Sequence, residues 1–468
     1  MRKIHLIGIG GSGLSAIATV LMESGYEVSG SDRQLSPQVQ ELQAGGARVV
    51  IGHRAENLNG VDLVLRSSAI PDDNVEVQAA LNKGIPVLKR AEFLEQLVAG
   101  KQVLAIAGTH GKTTTTAMLS WVLTSTGRDP SYVIGGLAKD LERSAHAGSG
   151  NYFVIEADEY DYMFLGLNPA LAVVTNVEHD HPDCFPTPDD FQRAFREFVT
   201  RLAPGGTLIA CADDPGAKRL LAWADELEVQ TYSYGIENQN YDFWAKDLRS
   251  LPDAGYAFDI HRRDYGKIAE LSLVVPGIHN VLNSLAVMAI ADLLGFDLQD
   301  STAALEKFSG VGRRFDERFS TAGVTIIDDY AHHPTEIRAT LAAARARYPG
   351  RTIWAVWQPH TYSRTRMLLD EFAAAFESAD RVLVTDIYAA REALPEDGFS
   401  SRQIVEGITA AEEGRGAQVY YVPTLRGARD LLISEVSSGD VVLVLTAGNA
   451  IQISDGLVQA LGKGQSAS

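Results

Sequence analysis

The chain has 468 residues, 46% of them apolar and 22% charged, enough for about three domains with ordinary cores. Its formal net charge of -19 excludes a general nucleic-acid or anionic-membrane binder, because no surplus of Lys and Arg is present to displace counterions. Two cysteines, Cys184 and Cys211, exclude a disulfide framework and suit a reducing compartment.

The N-terminus turns glycine-rich before an apolar signal-peptide core could form, and no apolar run approaches the ~18 residues of a membrane span. The expectation is a cytoplasmic protein without membrane insertion or nucleic-acid partner, a monomer or homodimer. Short β-branched runs alternate with helical segments throughout, which predicts an α/β fold with parallel sheets covered by helices. Strands are predicted at Ile4–Ile7, Glu27–Gly30, Arg48–Ile51, Leu63–Arg66 and Pro86–Leu88. A break near Ala99 precedes a second unit, with strands at Gln102–Ala107, Tyr152–Ile155, Leu171–Thr175 and Thr207–Ala210. A meander follows between Thr231 and Val275, then the helix "HNVLNSLAVMAIADLLG". The segment "FSGVGRRFDERF" reads as a hinge into a third unit, whose strands are "VTIIDDY", "TIWAVWQ", "RVLVTDI", "AQVYYV" and "DVVLVLTA". The tail "GKGQSAS" is expected to be disordered.

Two segments compete as phosphate cradles. In the first, Gly8, Gly10 and Gly13 form G-x-G-x-x-G, and Asp32 ends the next strand. That is the fingerprint of a diphosphate with a sugar attached, and a nucleoside-diphosphate sugar meets it as well as NAD does. In the second, Gly108, Thr109, His110, Gly111, Lys112 and Thr113 follow an apolar strand and open a helix. Converging backbone N–H groups, the Lys112 ammonium and the Thr113 hydroxyl suit a nucleoside triphosphate and Mg²⁺. The loop is a shortened G-x-x-G-K-T, because Ile106 stands five residues before Gly111.

Downstream, "VIEADEYD" carries Glu156, Asp158, Glu159 and Asp161, and "VVTNVEHDHPDCFP" carries Asn176, His179, Asp180 and His181. Carboxylates and imidazoles at strand ends beside a triphosphate suit a hard cation, with Glu156 and His181 ahead of His179. Further on, "IIDDYAHHPTEI" contains Asp328, Asp329, Tyr330, His332 and His333, and "QPHTYSRTR" contains His360, Arg364 and Arg366. Arginines near a strand end fit bidentate recognition of carboxylate or phosphate.

Taken in order, "GIGGSGLSAIA", "SGSD", "SSAI", "GTHGKTTTT", "EADEYD", "TNVEHDH", "GIHNVLNSLAV", "GVGRRF", "DDYAHHPTEI" and "QPHTYSRTR" resemble the ATP-dependent Mur ligases of peptidoglycan synthesis, and "DDYAHHPTEI" favours the alanine-adding branch. The resemblance implies three domains: a UDP-sugar-binding Rossmann-like domain (1–99), a central P-loop ATPase-like domain (100–312) and a C-terminal Rossmann-like ligase domain (313–468). It implies ATP and Mg²⁺ as cofactors, with UDP-N-acetylmuramate and L-alanine joined through an acyl phosphate. Gly8, Gly10, Gly11, Ser12, Gly13 and Asp32 would then face UDP, with Ser67 and Ser68 nearby. Gly108, Thr109, Gly111, Lys112, Thr113 and Thr114 would hold the ATP phosphates, and Thr113, Glu156 and His181 the metal. Asn280 and Asn283 are implied on the adenine side, and Arg314 and Asp329 as contacts to ATP from the closing domain. Tyr330, His332 and Arg364 would lie near the amino acid and the muramyl carboxylate, with Lys112, His332 and Arg364 catalytic.

Three positions depart from the family pattern: Thr361 stands where some members have Arg, Asn449 replaces a common Asp, and Arg196 falls near a Lys that later members modify. Three other readings stay open: a relative that adds a preformed peptide to the same sugar nucleotide, a nucleotide-binding regulatory or transport module without ligase chemistry, and an NAD-dependent oxidoreductase read from Gly8 to Asp32 alone.

Overall fold

The structure, a computed structural model, describes residues 2–252, 255–321 and 323–463. It contains three sheets. The first is all-parallel, in the order β3-β2-β1-β4-β5, from β1 (Lys3–Ile7), β2 (Glu27–Asp32), β3 (Arg48–Ile51), β4 (Leu63–Arg66) and β5 (Val87–Lys89). Chain order reverses between β1 and β4, so the crevice for a ligand opens where Gly8 follows β1 and Ser67 follows β4.

The second sheet has ten strands: β6 (Gln102–Ala107), β7 (Ser131–Ala138), β8 (Arg143–His146), β9 (Tyr152–Glu156), β10 (Leu171–Val174), β11 (Thr207–Cys211), β12 (Gln230–Ile236), β13 (Phe243–Ser250), β14 (Tyr256–Arg262) and β15 (Gly266–Leu273). Parallel β6, β9 and β10 form its centre, with every residue from Val103 to Ala107 and from Leu171 to Val174 buried, as helices on both faces require. β13, β14 and β15 form the antiparallel meander anticipated between Thr231 and Val275. β7 and β8 form an antiparallel hairpin that the sequence pattern did not mark, because glycines at 135 and 136 interrupt its apolar run.

The third sheet, in the order β16-β17-β21-β18-β19-β20, comprises β16 (Asp316–Thr321), β17 (Val324–Asp329), β18 (Ile353–Trp357), β19 (Arg381–Val384), β20 (Gln418–Tyr421) and β21 (Val441–Leu445). The expected hinge is therefore shorter than "FSGVGRRFDERF". Its last four residues, from Asp316, begin β16, which pairs antiparallel with β17. The last helix, Ile451–Lys463, also takes in Gly462 and Lys463 of the expected tail, since Ile453 and Leu457 bury one of its faces. Residues 464–468 of that tail lie outside the described residues.

Aromatic packing holds the acidic segment after β9 in place. Phe164 stacks on Phe198 with centroids 4.7 Å apart and meets Phe195 edge-on at 5.4 Å, on the amphipathic helix Pro188–Thr200. The first two domains touch here as well. Gly166 lies against the Ala91 carbonyl, where an added Cβ would collide with backbone, and the preceding Arg90 lays its guanidinium over Gly13 of the first glycine loop.

A fully buried carboxylate, Glu76, ties the first sheet to the helix Val75–Asn82. It accepts from Ser31 Oγ at 2.5 Å, Asn57 Nδ2 at 2.5 Å and the Arg54 amide at 3.2 Å, with His53 Nδ1 at 3.2 Å and His5 Nε2 at 3.6 Å. Burial opposes ionisation, but His5, Ser31 and Asn57 outweigh it and lower its pKa from 4.5 to about 2. Because the folded value is depressed, the stabilisation is fully present above the unfolded value and is lost as pH falls through the folded one. Glu76 is expected to contribute about 3 kcal/mol that disappears between about pH 5 and about pH 2. Denaturant unfolding across that range checks it, with Glu76→Gln expected to flatten the pH dependence.

Candidate functional site

The second glycine loop has the backbone geometry that a phosphate cradle needs. Gly108 (φ 131°) and Gly111 (φ 82°) take backbone conformations that strain other residues, and a Cβ on Gly111 would sit 2.6 Å from Asn283 Oδ1. The end of β10 fixes the loop from beside it. The His110 amide donates to Asn176 Oδ1 at 2.8 Å, while Thr175 Oγ1 and Asn176 Nδ2 donate to the His110 carbonyl at 2.6 and 3.0 Å. Thr109 is pinned too, its hydroxyl donating to the Glu178 carbonyl at 2.7 Å. The helix Lys112–Ser125 starts at Gly111, with Thr113 and Thr114 in its first turn and no acidic residue there to repel an anion.

Lys112 Nζ donates to the Gly108 carbonyl at 2.5 Å and to both oxygens of Glu159, at 3.0 and 2.8 Å. Burial works against its charge, but Glu159, Asp158 and Glu156 outweigh it and hold the ammonium above its ordinary range. Glu156, at the end of β9, accepts from Thr113 Oγ1 at 3.1 Å and from the Gly135 amide at 2.8 Å. Burial pushes its carboxyl up despite Lys112, leaving it short of positive charge. With the adjoining Thr113 hydroxyl this is a donor set that fits a hard cation. His181 Nε2 stands 3.5 Å from Glu159 Oε1, on the Lys112 side of the cleft.

Asp180 and Arg364 form a buried ion pair across the domain boundary, with Nε 2.6 Å from Oδ1. Arg364 Nη1 also donates to the His360 carbonyl at 2.7 Å, and Nη2 approaches His181 Nδ1 at 3.4 Å. Burial disfavours the Asp180 charge, but Arg364 dominates and holds it well below the usual carboxylate range. His179 faces elsewhere, its Nε2 2.8 Å from the Phe185 carbonyl, so it belongs to the aromatic packing.

From the third domain, Asp329 ends β17 and accepts from the Phe315 and Ala331 amides, both at 2.7 Å. Burial raises its pKa to about 6 against the pull of Arg314. Arg314 stacks 4.7 Å from the Tyr330 ring centroid and reaches Thr113 Oγ1 at 3.5 Å, which brings this domain onto the phosphate loop. His332 Nδ1 lies 3.0 Å from the Tyr330 carbonyl and 3.2 Å from Glu336 Oε2. A cavity of about 610 Å³ is bordered by Thr113, Thr114, Asn280, Asn283, Arg314 and Asp329. Asn280 donates to the Pro276 carbonyl at 2.7 Å and accepts from Asn283 Nδ2 at 3.0 Å, and Asn283 abuts the Gly111 turn.

At the first glycine loop, Gly8 (φ 80°) turns beside Ser67, Gly11 caps the helix Ser12–Glu23, and Gly13 faces Arg90. Asp32 spends one oxygen on the Gly10 amide at 2.9 Å and the other on the Arg33 amide at 2.7 Å, so it shapes the loop directly. Ser67 Oγ accepts from the Ala69 amide at 3.3 Å, with Ser68 half-buried in the same turn. Thr361 donates to Glu392 at 2.6 Å, Asn449 accepts from Gln358 at 2.9 Å, and Arg196 lies 5.8 Å from the Trp223 ring.

Sequence reasoning passed over His110, Glu178 and Glu336. His110 Nε2 lies 3.0 Å from Glu178 Oε2 and its Nδ1 3.2 Å from Glu336 Oε1. Burial lowers the imidazole pKa, yet the two carboxylates raise it to about 9. The one available signal was Glu336, three residues beyond the helix cap at His333.

Removal of Arg364 strands the buried Asp180. Arg364→Ala is expected to destabilise the fold by about 3–5 kcal/mol in denaturant titration, and a loss below 1 kcal/mol would contradict the pairing.

Residues 3–102 match the Mur ligase family, catalytic domain; residues 106–291 match the Mur ligase middle domain; and residues 313–448 match the Mur ligase, glutamate ligase domain. The chain is 41% identical over 462 residues to a UDP-N-acetylmuramate--L-alanine ligase of Desulforamulus reducens, covering 98% of each. It is 42% identical over 468 residues to one of Acidithiobacillus ferrooxidans, covering 99% of this chain and 98% of that one. Among solved structures, the UDP-N-acetylmuramate-alanine ligase of Thermotoga maritima superposes with a TM-score of 0.83 at 30% identity, covering 100% of both chains. A murein peptide ligase of Psychrobacter arcticus gives 0.72 at 25% identity, covering 99% of both.

Proposed function

The chain belongs to the Mur ligase family, and from that premise we propose the reaction it catalyses and the residues that carry it. It is an ATP-dependent amide-forming ligase that joins L-alanine to the lactyl carboxylate of UDP-N-acetylmuramate, a step of peptidoglycan synthesis. The observation that carries the site assignment is one cleft in which Lys112 and Thr113 of the phosphate loop, Glu156, and Arg314 of the third domain converge. The oxidoreductase reading of Gly8 to Asp32 is set aside, because a ligase needs the second cradle and a dehydrogenase leaves it without a purpose. No helix among the described residues is long and apolar enough to cross a membrane. We place the reaction in the cytoplasm, where ATP and the sugar nucleotide are soluble.

An amide does not form spontaneously from a carboxylate and an amine in water, so the carboxylate is first activated as an acyl phosphate. Catalysis of phosphoryl transfer is mainly positioning and charge neutralisation. Lys112 exchanges Glu159 for phosphate oxygens, the loop amides orient them, and Arg314 adds a guanidinium from the opposite side. Thr113, Glu156 and His181 would hold Mg²⁺, which would supply neutralising charge for the phosphates. Arg364, with Asp180 behind it, faces the substrate carboxylates. His332 donates through Nδ1 to the Tyr330 carbonyl and Glu336, which leaves the Nε2 lone pair to accept the amine proton. Closure of the third domain excludes the water that would hydrolyse the acyl phosphate.

Phosphate release is expected to require Mg²⁺, UDP-N-acetylmuramate and L-alanine together. Lys112→Ala should lower the rate by at least ~10²-fold, the scale of losing one preorganised charge contact. Unchanged turnover in that variant, or release without either substrate, refutes the assignment.

A further inference from the structure

His110, Glu178 and His333 form a group that the ligase mechanism does not use. His110 Nε2 is 3.0 Å from Glu178 Oε2, and His333 Nδ1 is 3.9 Å from the same oxygen. One ligand atom from each lies within 4.8 Å of the others. Ligands around a tetrahedral ion at ~2.0–2.2 Å sit roughly 3.3–3.5 Å apart, so the observed spacings bracket that geometry. Two imidazoles and one carboxylate oxygen suit a borderline-soft ion such as Zn²⁺ or Co²⁺ better than Mg²⁺.

His333 supplies an independent observation. It is 2% exposed, and its Nδ1 accepts a long contact from the Thr335 amide at 3.4 Å, so that nitrogen carries a lone pair. That lone pair is spent on a long helix-cap contact that a metal would displace, while His333 Nε2 is buried without a partner. Burial, reinforced by the charge on His110, lowers the His333 pKa to about 4 and keeps it in the neutral form that binds metals. The surroundings are those of ligating side chains: Glu336 Oε1 lies 3.2 Å from His110 Nδ1, and Thr335 Oγ1 donates to Glu178 Oε1 at 2.8 Å. His110 and Glu178 border the 610 Å³ cavity, which supplies water for a fourth position.

We propose that His110, Glu178 and His333 form a transition-metal site that bridges the central and C-terminal domains, separate from the Thr113–Glu156–His181 group. Binding releases to solvent the proton now shared between His110 and Glu178. Two ligands come from the central domain and one from the third, so a bound Zn²⁺ fastens the closed arrangement and slows turnover. That consequence rests on the ligase reading; the binding does not.

The test is a titration of the full chain with Co²⁺ under saturating Mg²⁺, followed by the intense visible absorption of four-coordinate cobalt, then displacement by Zn²⁺. One equivalent should bind. Glu178→Gln and His333→Gln should each weaken binding by ~10²-fold or more, since even outer-shell losses reach that scale. Glu156→Gln should leave the band in place. His333 caps a helix, so Glu178→Gln, at a partly exposed side chain, is the variant that keeps the fold, with circular dichroism as the check. The absence of a four-coordinate band, its survival in both site variants, or its loss in Glu156→Gln overturns the proposal. A chain that binds cobalt in this way but forms no amide leaves the metal site standing and removes only the ligase reading.

Discussion

Every cation in the cleft is already held by a carboxylate of the protein itself. Lys112 rests on Glu159, Arg364 on Asp180, and His110 between Glu178 and Glu336. A chain of net charge -19 can assemble positive charge only by buttressing it locally, and burial makes each pairing strong while making each unpaired group expensive. On the ligase reading proposed above, an arriving phosphate competes with Glu159 for Lys112 instead of meeting a free ammonium. Affinity for the nucleotide is the difference between two ionic states. That difference favours a ligand carrying several charges, and a metal to absorb the displaced carboxylate.

The same pairings join the domains. Asp180 and Glu178 belong to the segment after β10, while Arg364, His333 and Glu336 belong to the third domain. Arg314 reaches Thr113 from beyond the short connector at Gly312. The third domain is thus held over the second glycine loop largely by these contacts, and its position should respond to what fills the cleft. The Glu76 cluster is different in kind. It lies within the first domain beneath the helix Val75–Asn82 and holds that domain's own parts together.

Much of this was legible in the sequence, and for identifiable reasons. Strands with both faces covered read as continuous apolar runs, so β6, β10, β18 and β21 stood out, as did the Gly108–Thr113 loop between a strand and a helix. The β7–β8 hairpin and β16 did not, because glycines or charged residues break their patterns. Glu156 and Asp329 were visible as acids at the ends of apolar strands. The meeting of His110 with Glu336, 226 residues apart, was not, since nothing local encodes how two domains dock. Asp32 shows a subtler limit. Its place at a strand end was readable, but not its engagement with the Gly10 amide.

One helix touches both the first glycine loop and the acidic segment that follows β9. Arg90 covers Gly13 of the first loop, while Ala91, the next residue, bears on Gly166 at the end of the acidic segment that carries Glu159. A Cβ on Gly166 would meet the Ala91 backbone, so that contact has little slack, whereas on Gly13 it would meet only the movable end of Arg90. The helix Arg90–Leu97 thus bears on the first glycine loop and on the segment that presents Glu159 to Lys112 through two consecutive residues, so a change at either contact lies one residue from the other.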